Sequence, residues 1–324
     1  MKIKILPALL ALALLFTACS EQLEEKSRPN IVFIMSDDHA YQAISAYSDK
    51  LIQTPNIDRI AKEGMLFSNA CVTNSICAPS RATILTGKHS HINGKIDNRM
   101  PFDTTQLTFP QLFQAAGYQT AMFGKLHFGN NPKGIDEFKI LPGQGAYYNP
   151  DFNTNDGKIH IEGYTTDVIT DLTLDWMKNR RDPEKPFLLF FLHKAPHRNW
   201  LPAERHYKEF TKKTFPEPAT LFDDYEGRGS AAKASEMNIL HHQNWAGDSK
   251  LRPEVLDELG ITPSSNWDKR IMQNTYDRFT EEQLAAWNKV YDPIIEDFRK
   301  RFPSMTEKEQ MQWKYQRYMQ DYLG

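Results

Sequence analysis

Ile31-Val32-Phe33-Ile34-Met35 runs straight into Ser36-Asp37-Asp38-His39, and this junction of an apolar run with two adjacent carboxylates governs how the chain is read. A continuous apolar, β-rich run of this length is the sign of a strand buried on both faces. A second such run, Pro186 to Leu192, ends in His193-Lys194-Ala195-Pro196-His197. Ligands in open α/β sheets bind outside the carboxyl ends of the strands. Asp37 and Asp38 therefore stand where a hard cation such as Ca²⁺ or Mg²⁺ is held by oxygen. The same pair, taken alone, reads more readily as a helix cap or a turn.

Between the two runs the pattern alternates. Thr54-Pro55-Asn56 opens a helix with Thr54 as cap, Ile57, Ile60 and Ala61 as its apolar stripe and Gly64 as its end. Met65 to Val72 reads as a short strand. Leu107 to Ala116 is a helix closed by Gly117, and Tyr118 to Phe123 is the next strand, running into Gly124-Lys125-Leu126-His127. In an extended segment Lys125 and His127 project to the same side. Residues 141–153 form a Gly/Pro-punctuated loop with Tyr147 and Tyr148 packed inward. Thr166 to Arg180 is an amphipathic helix with Val168, Ile169, Leu172 and Trp176 on one face. From 205 to 324 the chain is mostly helical, with a loop at 221–232.

One further stretch concentrates chemistry: Cys77-Ala78-Pro79-Ser80-Arg81, continuing to Thr86-Gly87. Proline suits a first helical turn, which puts Cys77 at a helix N-terminus, where backbone N–H groups and the dipole favour negative charge. Arg81, one turn on, can direct its guanidinium to the same spot. A buried free cysteine is the plainer alternative. The whole run resembles the signature of the type I sulfatases, with Cys, Pro, Ser, Arg and the Thr-Gly pair in the family's spacing. "TPNIDRIAKEG" followed by "FSNACV" resembles the family's opening, and Gly124-Lys125-Leu126-His127 its Gly-Lys-x-His motif.

The resemblance implies an alkaline-phosphatase-like α/β fold with a mostly parallel central sheet flanked by helices. It also implies that Cys77 is oxidised to formylglycine by a sulfatase-maturating enzyme, and that Asp37, Asp38 and residue 77 hold a divalent cation, Ca²⁺ or Mg²⁺. The cation would also neutralise sulfate oxygens, Arg81 would help it deprotonate the attacking hydroxyl of residue 77, Lys125 would contribute a point charge, His127 would act as base, and His197 would protonate the departing alcohol. His193 reads as structural. "HKAPHRNW" and "GQGAYYNP" are most similar to bacterial enzymes that remove 6-O-sulfate from N-acetylglucosamine, so the substrate class implied is a sulfated carbohydrate. The alternatives are a phosphate or phosphonate ester hydrolase of the same superfamily, or a non-catalytic glycan-binding lipoprotein. An intact cysteine motif favours sulfate.

Composition bounds the partners. The 39 basic and 41 acidic residues among 324 give a net charge of -2, which argues against nucleic acid. Residues 1–19 have the basic, apolar and small-residue parts of an export signal. Cys19 after Thr17-Ala18 resembles a bacterial lipobox, so the mature chain is expected to be exported and lipid-anchored to a membrane, in the periplasm or at the cell surface. Residues 20–29 read as a polar linker, and 30–324 as the catalytic domain. Its C-terminal end is expected to be incomplete, because no apolar strand run follows Leu192. The later strand with which complete sulfatases finish the metal site is not in this sequence.

Overall fold

A computed structural model describes residues 28–235, 237–262 and 266–324, without the side chains of 266–269. The lipobox at Cys19 and the leader around it lie outside the described residues. Among those described, no helix is long and apolar enough to cross a membrane.

The centre is one six-stranded sheet in the order β1-β6-β2-β3-β4-β5. β1 is Ile31–Met35, β2 Gln119–Lys125, β3 Glu137–Leu141, β4 Asp151–Thr154, β5 Gly157–His160 and β6 Phe187–Leu192. β1, β6, β2 and β3 pair in parallel, and β3, β4 and β5 continue as an antiparallel meander. The sheet is thus mostly parallel around the two apolar runs, as expected. Helices α1 (Pro55–Glu63), α2 (Cys77–Thr86), α3 (Phe109–Ala115) and α4 (Thr165–Asp175, prolonged by a π turn through Arg180) belong to this layer. One core joins α2 and α3 to Met122, Leu188 and Phe190 of the sheet. The opposite core places Val168, Ile169 and Trp176 against Ala121, Phe123 and Leu189. The C-terminal third carries α5 (Asn266–Tyr276), α6 (Glu281–Arg301) and α7 (Glu307–Leu323), α6 and α7 each opened by a Thr capping box.

Four expectations need correction. β1 is not buried on both faces: among the described residues it pairs only with β6, and Val32 and Ile34 are exposed on the side away from the α2–α3 core. The stripe of α1 is also open to solvent, with Ile60 59% exposed, and Thr54 caps no amide there. Its hydroxyl instead donates to Asp58 and accepts from the Ser45 amide. Residues 65–72 form no strand and pair with none of the six. The loop expected at 141–153 gives way at Asp151 to β4. Its partner β5 is a four-residue exposed strand with too few apolar residues to show a period.

Candidate active site

Three parallel strands deliver their carboxyl ends to one place. β1 leads into Asp37 and Asp38, β2 ends at Lys125, and β6 leads into Lys194 and His197. α2 supplies the fourth side: Cys77 is its first residue, Pro79 lies in its first turn, and Gly87 closes it in the left-handed conformation. The Ala78 amide at this N-terminus donates to Asn98 Oδ1 at 3.1 Å. The Asp37 amide donates to Ala195 O at 3.1 Å, so the loops after β1 and β6 are tied together directly behind the cluster.

Charge is concentrated here to a degree that burial ordinarily forbids. Asp37 is 5% exposed and pairs with Lys125, itself fully buried, and with Arg81 at 3.5 Å. Arg81 is also buried and donates to the Lys125 carbonyl. Burial raises the Asp37 carboxyl pKa, but the Lys125 and Arg81 cations outweigh it and hold the group below the usual carboxylate range. Asp38, by contrast, is raised by partial desolvation of its largely exposed carboxylate and by the neighbouring Asp37 charge. Lys125 Nζ lies 3.9 Å from Cys77 Sγ and also donates to Gln144 Oε1. Donor atoms of Asp37, Cys77 and His197 all fall within 4.8 Å of one another.

The histidines divide by surroundings. His197 Nδ1 lies 2.6 Å from Arg198 O and donates to it, which turns Nε2 toward Asp38 Oδ2 at 3.6 Å. Burial and the cations Lys125 and Lys194 push His197 down to about 4, so it is neutral at pH 7 and its Nε2 is an acceptor. His127 is pushed to about 4 by burial, Lys125 and Arg81, and its Nδ1 is buried without a hydrogen-bond partner. It does not share a strand face with Lys125. β2 ends at Lys125, and His127 adopts a left-handed backbone with φ 63°, which breaks the two-residue alternation. His193 packs its ring on Phe191 at 4.3 Å, away from the shared donor atoms.

The Cys77 thiol is not activated as it stands. Burial and the Asp37 and Asp38 charges raise its pKa, against an opposing pull from Lys125. A thiolate nucleophile needs the reverse balance. The oxygen donors suit a hard divalent cation, and one of them, Asp37 Oδ2, is buried and takes the ion pairs from both Lys125 and Arg81. A cleft of about 440 Å³ opens beside the cluster, with Gln144, Tyr147, Lys194 and His197 on one wall and Asn274 and Arg278 on the other. A larger groove of about 1130 Å³ runs along α6 and α7 and shares no residue with the cluster.

A profile of the sulfatase family matches residues 29–280. The chain belongs to the sulfatase family. It is 47% identical to an N-acetylglucosamine-6-O-sulfatase of Bacteroides thetaiotaomicron over 96% of its own length and 55% of the relative's. A more distant relative, an ulvan-active sulfatase of Formosa agariphila, is 27% identical over 76% of this chain and 50% of its own. Among solved structures, one in complex with its substrate D-glucosamine-2-N,6-O-disulfate superposes with a TM-score of 0.84 at 47% identity, covering 92% of this chain and 59% of that one. The chain spans just over half the length of these relatives.

Two residues at this cluster escaped sequence reading. Lys194 is buried to 4% exposure with Nζ 4.6 Å from the centre of the Tyr147 ring, and burial together with Lys125 lowers it to about 7. Gln144 reaches Lys125 from the loop after β3. The signal for Lys194 was its place between His193 and Ala195-Pro196-His197. Gln144 lies in the "GQGAYYNP" stretch, whose resemblance points to the sugar and not to a contact with Lys125.

Proposed function

We propose that the protein hydrolyses sulfate esters of exported or extracellular glycans, with 6-O-sulfated N-acetylglucosamine as the sugar. The observation that carries the reading is Cys77 at a helix N-terminus, within one donor cluster with Asp37 and His197 and under the Lys125 amine. Family membership turns that cluster toward sulfate rather than phosphate or phosphonate. The relative's name and the substrate held by the similar solved structure support the 6-O-sulfated glucosamine. The unactivated thiol supports conversion of Cys77 to formylglycine, whose hydrate supplies one hydroxyl to take the sulfuryl group and a second to expel it.

Asp37, Asp38 and residue 77 would hold the divalent cation, Ca²⁺ or Mg²⁺, which supplies charge stabilisation to the sulfate oxygens in the transition state. Arg81 keeps Asp37 ionised and aimed. Lys125 is a point charge within reach of both Asp37 and residue 77. Lys194 rests near its own titration point, so an arriving sulfate, being anionic, favours its charged form and gains a second ammonium contact. The same anion raises His197 from about 4, which brings Nε2 toward the protonated state required to deliver a proton to the leaving alcohol. The cleft beside Tyr147 has room for the sugar. Lipid on Cys19 would keep the protein on the outer side of a bacterial membrane.

The test is expression with a sulfatase-maturating enzyme, followed by peptide mass spectrometry at residue 77 and assay on N-acetylglucosamine 6-sulfate, galactosamine 6-sulfate and a phosphate monoester. Formylglycine with preference for the glucosamine ester is expected, and Cys77→Ala should remove it. Unmodified cysteine, or preference for the phosphate ester, would overturn the reading.

A further inference from the structure

The turn that carries Asp38 is braced from the far end of the chain. Asp38 is a non-glycine residue in the left-handed region, at φ 59°, a conformation that L-residues with side chains hold at a cost of about 1 kcal/mol or more. Its carboxylate is largely exposed, so backbone geometry rather than packing sets its direction. Tyr322, in the last turn of α7, reaches this backbone. The Ala40 amide donates to its hydroxyl oxygen at 2.7 Å, and the hydroxyl donates to Asp38 O at 2.9 Å. One phenol thus closes both ends of the Asp38-His39-Ala40 turn.

The brace extends to the histidine loop. Trp200, three residues after His197, packs on Tyr318 at 4.7 Å and on Tyr322 at 6.3 Å between ring centres. Lys250, fully buried, donates to the carbonyl of Asn199 next to it. α7 therefore touches both segments whose side chains, Asp38 and His197, face each other at 3.6 Å.

We infer that Tyr322 is a positioning residue for the cation site: its hydroxyl locks the strained Asp38 turn so that the carboxylate stays facing His197 at the edge of the donor cluster. The inference rests on the cation reading above. Losing the hydroxyl lets the turn relax toward negative φ, which swings the Asp38 carboxylate away while leaving the ring packed on Trp200.

Tyr322→Phe removes only the two hydrogen bonds, and Tyr318→Phe, on the same helix face, serves as the control. In the 324-residue chain, Tyr322→Phe should speed amide hydrogen exchange in residues 38–41 about fivefold, the worth of one neutral hydrogen bond, with Tyr318→Phe at the wild-type rate. Calorimetric titration with Ca²⁺ alone should show about fivefold weaker binding for Tyr322→Phe. No further loss is expected when Asp38→Asn is already present. Unchanged exchange, equal loosening by Tyr318→Phe, or a full additional loss in the Asp38→Asn background would each overturn the proposal. If the wild-type chain takes up no Ca²⁺, the cation reading fails, and the brace is decided by exchange alone.

Discussion

Asp37 shows how much a single buried charge depends on its neighbours. It sits among Lys125, Arg81 and His197 with almost no solvent, and its stability contribution comes from ion pairs that cannot be replaced by water. Removing one partner of a buried pair leaves the other uncompensated, at about 3–5 kcal/mol. Lys125→Met should therefore destabilise the chain by about that amount in urea unfolding, whereas Lys139→Met, which breaks the partly exposed pair with Glu137, should cost about 1 kcal/mol or less. Equal effects would show that Asp37 reaches solvent. Sequence reading found Asp37, Cys77, Arg81 and Lys125 because they stand at or near element ends in stretches that also match the family's motifs, which decided against the plainer readings of each. It did not find Lys194, Gln144 or Tyr322. Lys194 is buried by the Tyr147 loop, and Tyr322 meets Asp38 across 284 positions, so nothing nearby in sequence encodes either contact.

Among elements, β6 was the most legible, since all but one of its residues are buried between the two cores. β1 was legible as a strand but not as an edge: its composition reports an apolar environment that the described neighbours supply on one face only. β3 to β5 were missed because short, half-polar strands lack a readable period. At the end of β6, His193 gives this layer a pH dependence. Burial alone lowers it to about 4, against an ordinary value near 6.5, and its Nδ1 has no hydrogen-bond partner. The folded state then binds its proton less readily than the unfolded chain. Its contribution is intact above about pH 6.5 and is lost as pH falls toward 4, up to about 3 kcal/mol. Urea midpoints measured from pH 7 to 4 should fall more steeply for wild type than for His193→Gln, which cannot titrate. Parallel curves would mean that His193 is protonated inside the fold.

For the whole molecule, the open question is how many oxygens the sheet's carboxyl edge can offer to a cation. Ca²⁺ takes about six to eight oxygen ligands, and affinity rises with their number and charge. Among the described residues, the edge brings two carboxylates from one strand end, Asp37 and Asp38, together with residue 77. The other donor in the cluster is an imidazole nitrogen, that of His197. β1 stands at the margin of the sheet with Val32 and Ile34 uncovered, so no further described strand reaches across from the other side. A shell supplied from one side should bind weakly, with Kd for Ca²⁺ of about 10⁻⁴ to 10⁻³ M. On the proposed cation reading, weak binding would remove several kcal/mol of transition-state stabilisation, at least about a thousandfold in rate. The 324-residue chain, matured at Cys77 and assayed on N-acetylglucosamine 6-sulfate, should therefore turn over far more slowly than the matured Bacteroides thetaiotaomicron relative, and millimolar Ca²⁺ should recover part of the difference. Micromolar Ca²⁺ binding with comparable turnover would show instead that residues here assigned to the surface close the shell.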